Sequence, residues 1–170
     1  MRAADREELN QLSLPQSSSV ILKRVLFVCT GNTCRSPMAK TILEQMLKGR
    51  GLESEISVDS AGLGAYSHSP VTPEAKEAIK QLYDGKDLLA NHISKSVNEI
   101  SFEDFHLILT MAEDHKHRLP KDKTYTLKEY AGLKGDISDP IGQGSEVYRE
   151  CRDEIKNCLD RALPRIIKDC

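Results

Sequence analysis

The chain has 170 residues, of which 29% are charged and 39% hydrophobic, with a formal net charge of −2. That length suits one compact domain able to bury a core without disulfides or a structural metal, and the composition is that of a soluble globular protein. No apolar run reaches the roughly 20 residues needed to cross a bilayer, acidic residues stand where a secretory signal would be basic, and the absence of a basic block argues against nucleic acid as the main partner.

Residues 1–19 are polar, rich in Ser and Gln and broken by Pro15, which reads as a frayed or loosely docked extension ahead of a folded domain over 20–170. Arg24–Cys29 is a short, nearly continuous apolar run, the pattern of a strand buried on both faces of a parallel sheet. It ends at the turn signal Gly31-Asn32. Ser36-Pro37 offers a cap followed by proline, and Met38, Ala39, Ile42, Leu43, Met46 and Leu47 repeat at helical spacing until Gly49 and Gly51 stop the helix. Ile56–Ser60 predicts the next strand, closed by Gly62 and Gly64.

Thr72-Pro73 repeats the cap-plus-proline signal before a helix to about Tyr83. Leu107–Met111 predicts a strong strand, a short polar helix runs on to Arg118, and Thr124–Leu127 predicts a weaker strand. Residues 132–144 form a loop rich in Gly and Asp. A last helix begins at Glu146, and Pro164 is expected to kink or cut it near its end. Strands alternating with helices in this way predict a three-layer, doubly wound α/β fold, with about four parallel strands and helices on both faces. Ligands of such sheets bind beyond the carboxyl ends of the strands, which is where Cys29 falls.

The segment from Cys29 to Arg35 carries the chemistry. Five residues, Thr30, Gly31, Asn32, Thr33 and Cys34, separate a cysteine at a strand end from an arginine at a helix start. The backbone N–H groups of such a loop, joined by the positive end of the helix dipole, converge on a tetrahedral anion. Gly31 and Asn32 are residue types that tolerate the left-handed backbone this requires. A thiolate is favoured beside a helix N-terminus or a cation, and the fork of Arg35 grips two phosphoryl oxygens. The hydroxyl of Ser36 either donates to the sulfur or caps the helix. No Gly-Lys-Ser/Thr occurs, so this is not a nucleotide-binding loop.

A phosphocysteine mechanism also needs a proton donor for the leaving group and a base for water. Asp139 in the late loop serves both steps, with Pro140 fixing its direction and Asp136 as the competing carboxyl.

These residues resemble the low-molecular-weight protein phosphatase family, whose signature is the loop Cys29-Thr-Gly-Asn-Thr-Cys-Arg-Ser-Pro37 with a late Asp139-Pro140. The resemblance runs from about Val25 to the final helix. It also takes in Asp59-Ser-Ala-Gly62, Asn91-His-Ile-Ser94, Leu109-Thr-Met-Ala112 and Thr126-Leu-Lys-Glu-Tyr130. It implies Cys29 as nucleophile, Arg35 as phosphate ligand and Asp139 as general acid, supported from behind by Asn32, Ser36, Ser60 and His92. Within the family the chain looks like the protein-arginine phosphatase branch. Thr33 stands where tyrosine-specific relatives carry a larger aliphatic residue, and Ile141-Gly142 replaces the adjacent aromatics that wall a phosphotyrosine ring. Thr33 and Asp139 are the expected specificity residues. Ile141 is a departure, since arginine-specific relatives can carry an aromatic there.

The expected partners are phosphorylated proteins, with no cofactor and no metal, acted on by a monomer in the cytoplasm. Five cysteines, an odd number, do not make a secreted disulfide framework and suit a reducing compartment. Cys34 either pairs reversibly with Cys29 or packs the loop, Cys151 and Cys158 read as core, and Cys170 as a free tail thiol. His115 and His117 flank Lys116 without a further ligand at metal spacing and read as a solvated face. His92 either orients Asn32 or is simply structural, and Tyr66 and His68 either line the cleft mouth or cover it. The rival functions are phosphotyrosine hydrolysis on the same site, a phosphocysteine carrier that hands its phosphate on, an idle phosphate-binding module, and arsenate reduction. The last is disfavoured because residues 60–110 contain no cysteine.

Overall fold

The computed structural model describes residues 22–169, so the expectations for residues 1–19 and for Cys170 fall outside the described part. Four parallel strands, β1 (Lys23–Cys29), β2 (Ile56–Gly62), β3 (Leu107–Thr110) and β4 (Thr124–Thr126), form one sheet in the order β2-β1-β3-β4. The chain winds to one side of β1 and then to the other. The gap between β1 and β3 is therefore the switch point, where doubly wound sheets open a crevice at their carboxyl end. Cys29 is the last residue of β1 and pairs in register with Gly62 of β2.

Residues 25–29 of β1 are all buried, as a two-sided apolar strand requires. On one face Val25 and Phe27 join the larger core with helices α1 (Arg35–Gly49), α2 (Pro73–Leu82), α3 (Leu127–Tyr130) and α4 (Ser145–Asp169). On the other face Leu26 and Val28 pack with Val97, Phe105, Ile108 and Leu119. There the third layer is built from short 3-10 helices at Val97–Glu99, Phe102–Asp104 and Glu113–Arg118. Ser96 caps the first of these, its hydroxyl accepting from the Asn98 N–H at 3.1 Å. Among the described residues no helix is long and apolar enough to cross a membrane.

β2 runs on to Gly62, β3 stops at Thr110 and α4 begins at Ser145, each within two residues of the expectation. Three further differences fall at helix ends. α1 begins at Arg35, ahead of Ser36-Pro37, so the Ser36 hydroxyl is not its cap. Leu127 leaves the strand and opens α3, because Thr126 and Glu129 form a capping box in which Thr126 Oγ1 accepts from the Glu129 N–H at 3.0 Å and Glu129 Oε2 accepts from the Thr126 N–H at 3.1 Å. α4 is not cut at Pro164 but continues to Asp169. Pro164 is exposed, while Leu163 and Ile166 on either side are buried and the last residue, Asp169, accepts from the Tyr130 hydroxyl at 2.9 Å. Tertiary anchoring on both sides outweighs the single lost backbone bond. The Thr72-Pro73 start of α2 holds as expected, with Thr72 Oγ1 accepting from the Ala75 N–H at 3.4 Å.

Gly62 fixes how closely β2 approaches the loop that leaves β1. A Cβ there would lie 2.6 Å from the Thr30 carbonyl oxygen and 3.0 Å from the Asn32 nitrogen, contacts with backbone that cannot swing aside. Gly62→Ala is accordingly expected to cost about 1–3 kcal/mol of stability, the usual penalty for an overpacked buried position. Urea unfolding measures this directly, and a midpoint equal to the parent's would show that the strand end yields more easily than these distances imply.

Candidate active site

The loop between β1 and α1 turns on Asn32, which adopts a left-handed backbone (φ 56°) and is fully buried. Its side-chain amide donates to Ser36 Oγ at 2.8 Å and Ser60 Oγ at 2.9 Å, while its Oδ1 accepts from the Lys95 N–H at 3.0 Å. The Asn32 carbonyl is 2.8 Å from His92 Nε2. A carbonyl only accepts, so His92 carries its proton on Nε2 and orients Asn32 directly. Gly31, also expected to be left-handed, does not take a positive φ. A Cβ on it would meet nothing nearer than Thr33 Oγ1 at 3.5 Å, so the left-handed turn falls on Asn32 alone.

Two donors converge on the Cys29 sulfur. The Asn32 N–H lies 3.2 Å from it and the Ser36 hydroxyl 2.9 Å. Because Ser36 Oγ already accepts from the Asn32 amide, its own hydrogen is available for Sγ. Both contacts aim a donor hydrogen at the sulfur that faces the loop.

Arg35, the first residue of α1, is 4% exposed and donates through Nη1 to the Ile137 carbonyl at 2.8 Å. Its Nη2 lies 3.5 Å from Asp139 Oδ2, and its buried Nε has no partner. One edge of the guanidinium is thus anchored while the other keeps donors free for a tetrahedral anion. Asp139 is held in turn by the Ile141 N–H, 3.1 Å from Oδ1, and by the Cys34 thiol at 3.8 Å. The competing carboxyl, Asp136, accepts instead from the Glu113 N–H at 2.9 Å, which leaves Asp139 as the carboxylate of this loop that reaches Arg35. Burial, with Cys29 and Asp139 close by, pushes the Cys34 thiol up to about 12, so Cys34 stays protonated and acts as a weak donor. Cys29, Cys34, Cys151 and Cys158 are all free thiols, and the last two are buried in the core as expected.

The arrangement brings together a sulfur under two donors, a guanidinium with an unpartnered Nε and a part-exposed carboxyl. In-line displacement at phosphorus calls for parts of these kinds. A model of the low molecular weight phosphotyrosine protein phosphatase family matches residues 24–169. The chain belongs to this family. A protein-arginine-phosphatase of Geobacillus stearothermophilus is 40% identical over 84% of this chain and 95% of its own length. Its counterpart in Bacillus subtilis is 37% identical over 85% of this chain and 97% of its own. A crystal structure of a low molecular weight protein tyrosine phosphatase from T. tengcongensis superposes with a TM-score of 0.77 at 38% identity, covering 84% of this chain and 99% of that one.

Four groups about this family site are not evident from the sequence. Gly62 sets the room behind the loop, Lys95 donates its N–H to Asn32 while its ammonium pairs with Asp59 at 2.7 Å, and the Ile137 carbonyl anchors Arg35. The fourth is His115. Its solvated-face reading is incorrect: the ring is 7% exposed and its Nε2 lies 3.1 Å from Thr30 Oγ1, whereas His117 is exposed as expected. In a 3-10 helix of three residues per turn, a polar run can present one of its members inward. Tyr66 stands 87% exposed.

His92 and His115 are both held below the ordinary histidine value of about 6.5. Burial is the main cause for each, aided at His92 by Lys40 and Lys95 and at His115 by Arg35. The unfolded chain takes up protons near the ordinary value that the folded chain still refuses. The stability due to these neutral rings is therefore complete above about 6.5 and is lost as pH falls from there through the lowered folded values. The thermal midpoint is expected to drop between about pH 7.5 and about pH 5.5, and to drop less in a His92→Asn/His115→Gln double variant. Equal drops in the two proteins would assign the acid sensitivity to other groups.

Proposed function

We propose that this chain is a protein phosphatase that hydrolyses the P–N bond of phosphoarginine in proteins through a phosphocysteine intermediate. The observation that carries the chemistry is the convergence of the Cys29 sulfur, under two donors, with a buried Arg35 whose Nε is unclaimed and whose Nη2 faces Asp139. The Cys29 thiolate attacks phosphorus while Arg35 and the loop N–H groups of residues 30–36 take up the charge on the equatorial oxygens. The P–N bond breaks and the Asp139 carboxyl gives its proton to the departing guanidine nitrogen. The resulting carboxylate then takes a proton from water, which attacks the phosphocysteine and releases inorganic phosphate and the thiolate.

The choice of substrate rests on the rim. The arginine-phosphatase and tyrosine-phosphatase relatives are about equally similar to this chain, so overall likeness does not decide it. A phosphotyrosine ring needs aromatic walls. Next to Asp139 in the chain stand Pro140 and the 57% exposed aliphatic Ile141, and the phosphate loop offers the half-buried hydroxyl residue Thr33. A guanidinium asks instead for a carboxylate and a polar neighbour, which Asp139 and Thr33 supply. The proposal extends to a monomeric enzyme of the cytoplasm, acting on phosphorylated proteins without cofactor or metal. The free thiols among the described cysteines support the reducing compartment.

The decisive comparison is kcat/KM on phosphoarginine and phosphotyrosine peptides of the same sequence, in the parent and in Thr33→Ile. The variant is expected to lose about tenfold or more on phosphoarginine while keeping or gaining activity on phosphotyrosine. An unchanged ratio would count against the arginine assignment. Asp139→Ala is expected to slow turnover by about 10²–10⁴-fold and let a labelled cysteinyl phosphate build up, which a rapid acid quench detects. Release of that label to water in the parent separates a hydrolase from a phosphate carrier.

A further inference from the structure

The segment Met111–His115 touches both halves of the site. The Ile137 N–H donates to the Met111 carbonyl at 2.8 Å, and the Glu113 N–H donates to Asp136 Oδ1 at 2.9 Å, so the loop carrying Asp139 is tethered to this segment at two points. On the other side the Met111 N–H donates to the Val28 carbonyl at 3.1 Å, and His115 reaches Thr30, the residue following Cys29. The direction of that last bond follows from the other ring nitrogen. The Ala112 N–H lies 3.2 Å from His115 Nδ1, and a backbone N–H only donates, so Nδ1 is unprotonated. The hydrogen is on Nε2, and it is given to Thr30 Oγ1.

We propose that His115 is a positioning residue which, by donating to Thr30, holds the phosphate loop in alignment with the loop that presents Asp139. The inference rests on the phosphatase reading above and deepens it. Thr30 is exposed, yet it is fixed twice: its carbonyl accepts from the Gly64 N–H at 2.9 Å and its hydroxyl accepts from His115. Among the described residues, His115 is the side chain whose hydrogen bond ties this first residue of the loop toward the Asp139 side. A buried imidazole with both nitrogens engaged is a costly way to fill space, and an apolar residue would fill the same volume without needing two polar partners.

The same geometry makes the contact sensitive to protons. An imidazolium has N–H on both nitrogens, so protonating Nδ1 sets two donors against each other at Ala112. The charged groups that face the ring are Arg35, which opposes its protonation, and Asp136, Asp114 and Asp139, which favour it. Burial and Arg35 prevail, and the neutral, donating form is the one held at neutral pH.

The test is a double-mutant cycle with Thr30→Val and His115→Ala, assayed on a small aryl phosphate and on a phosphoarginine peptide, with His115→Gln as the conservative variant. Each single substitution is expected to lower kcat by about 10- to 100-fold on both substrates with little change in KM, the scale of a misaligned reacting pair. The double variant should be no worse than the more damaging single. His115→Gln should recover much of the loss, because an amide can accept from Ala112 and donate to Thr30, and its kcat profile should lack one ionisation on the acid limb. Parental kcat in either single variant overturns the inference, as does a double variant whose losses multiply. Loss of thermal stability matching the loss of kcat, with no rescue by Gln and an unaltered acid limb, reduces His115 to packing and overturns it as well. A parent inactive on both substrates overturns the phosphatase reading itself, and the inference with it.

Discussion

The site depends on one residue being held in a conformation that it adopts reluctantly. A left-handed backbone costs a non-glycine residue roughly 1–2 kcal/mol, less for asparagine than for most. Asn32 is kept there by four hydrogen bonds from its side chain and carbonyl. At about 0.5–1.5 kcal/mol net apiece, these outweigh the strain. Because the amide donors go to Ser36 and Ser60 and the acceptors meet Lys95 and His92, the turn is bound to α1, to β2 and to the segment that follows α2. Inverting it would leave buried polar groups unpaired in all three places. The inward N–H of Asn32 and the freed hydroxyl hydrogen of Ser36 both reach Cys29 as a result of that one turn.

The sheet and its main helices were legible in the sequence because local signals and burial agree there. A two-sided apolar strand at residues 25–29, a Thr-Pro start to α2 and an amphipathic α4 are patterns with one physical meaning each. Misreadings arose where a tertiary contact overrides a local rule. Leu127 extends an apolar alternation but is claimed by the capping box behind it, and Pro164 breaks a backbone bond in a helix whose two sides are already anchored. The glycines are more instructive. Gly31 lies inside the loop and attracts attention, yet the steric need belongs to Gly62, which becomes visible only when the β1–β2 register sets it opposite Cys29. His115 was hidden by its neighbours: charges at Glu113, Asp114, Lys116 and Arg118 describe an exposed surface, and only the tight winding of the 3-10 turn carries one ring inward.

The pairing of Arg35 with Asp139 raises a question of order in the proposed reaction. Arg35 Nη2 cannot at once hold Asp139 and grip the phosphoryl group. The resolution lies in relative strength. At 3.5 Å, with the Asp139 side chain 40% exposed, the contact is a long, solvent-screened pair, worth little on the scale of exposed ion pairs. A phosphoryl dianion entering the cradle offers Arg35 two oxygens in a bidentate grip and meets the unclaimed Nε as well, a much stronger contact. In the proposed reaction the substrate thereby takes the arginine from Asp139. The Asp139 carboxyl keeps its own tether, the Ile141 N–H at 3.1 Å from Oδ1, while that exchange takes place. On this reading Arg35 exchanges a weak contact for a strong one as the phosphoryl group binds, and the exchange frees Asp139 for the leaving group.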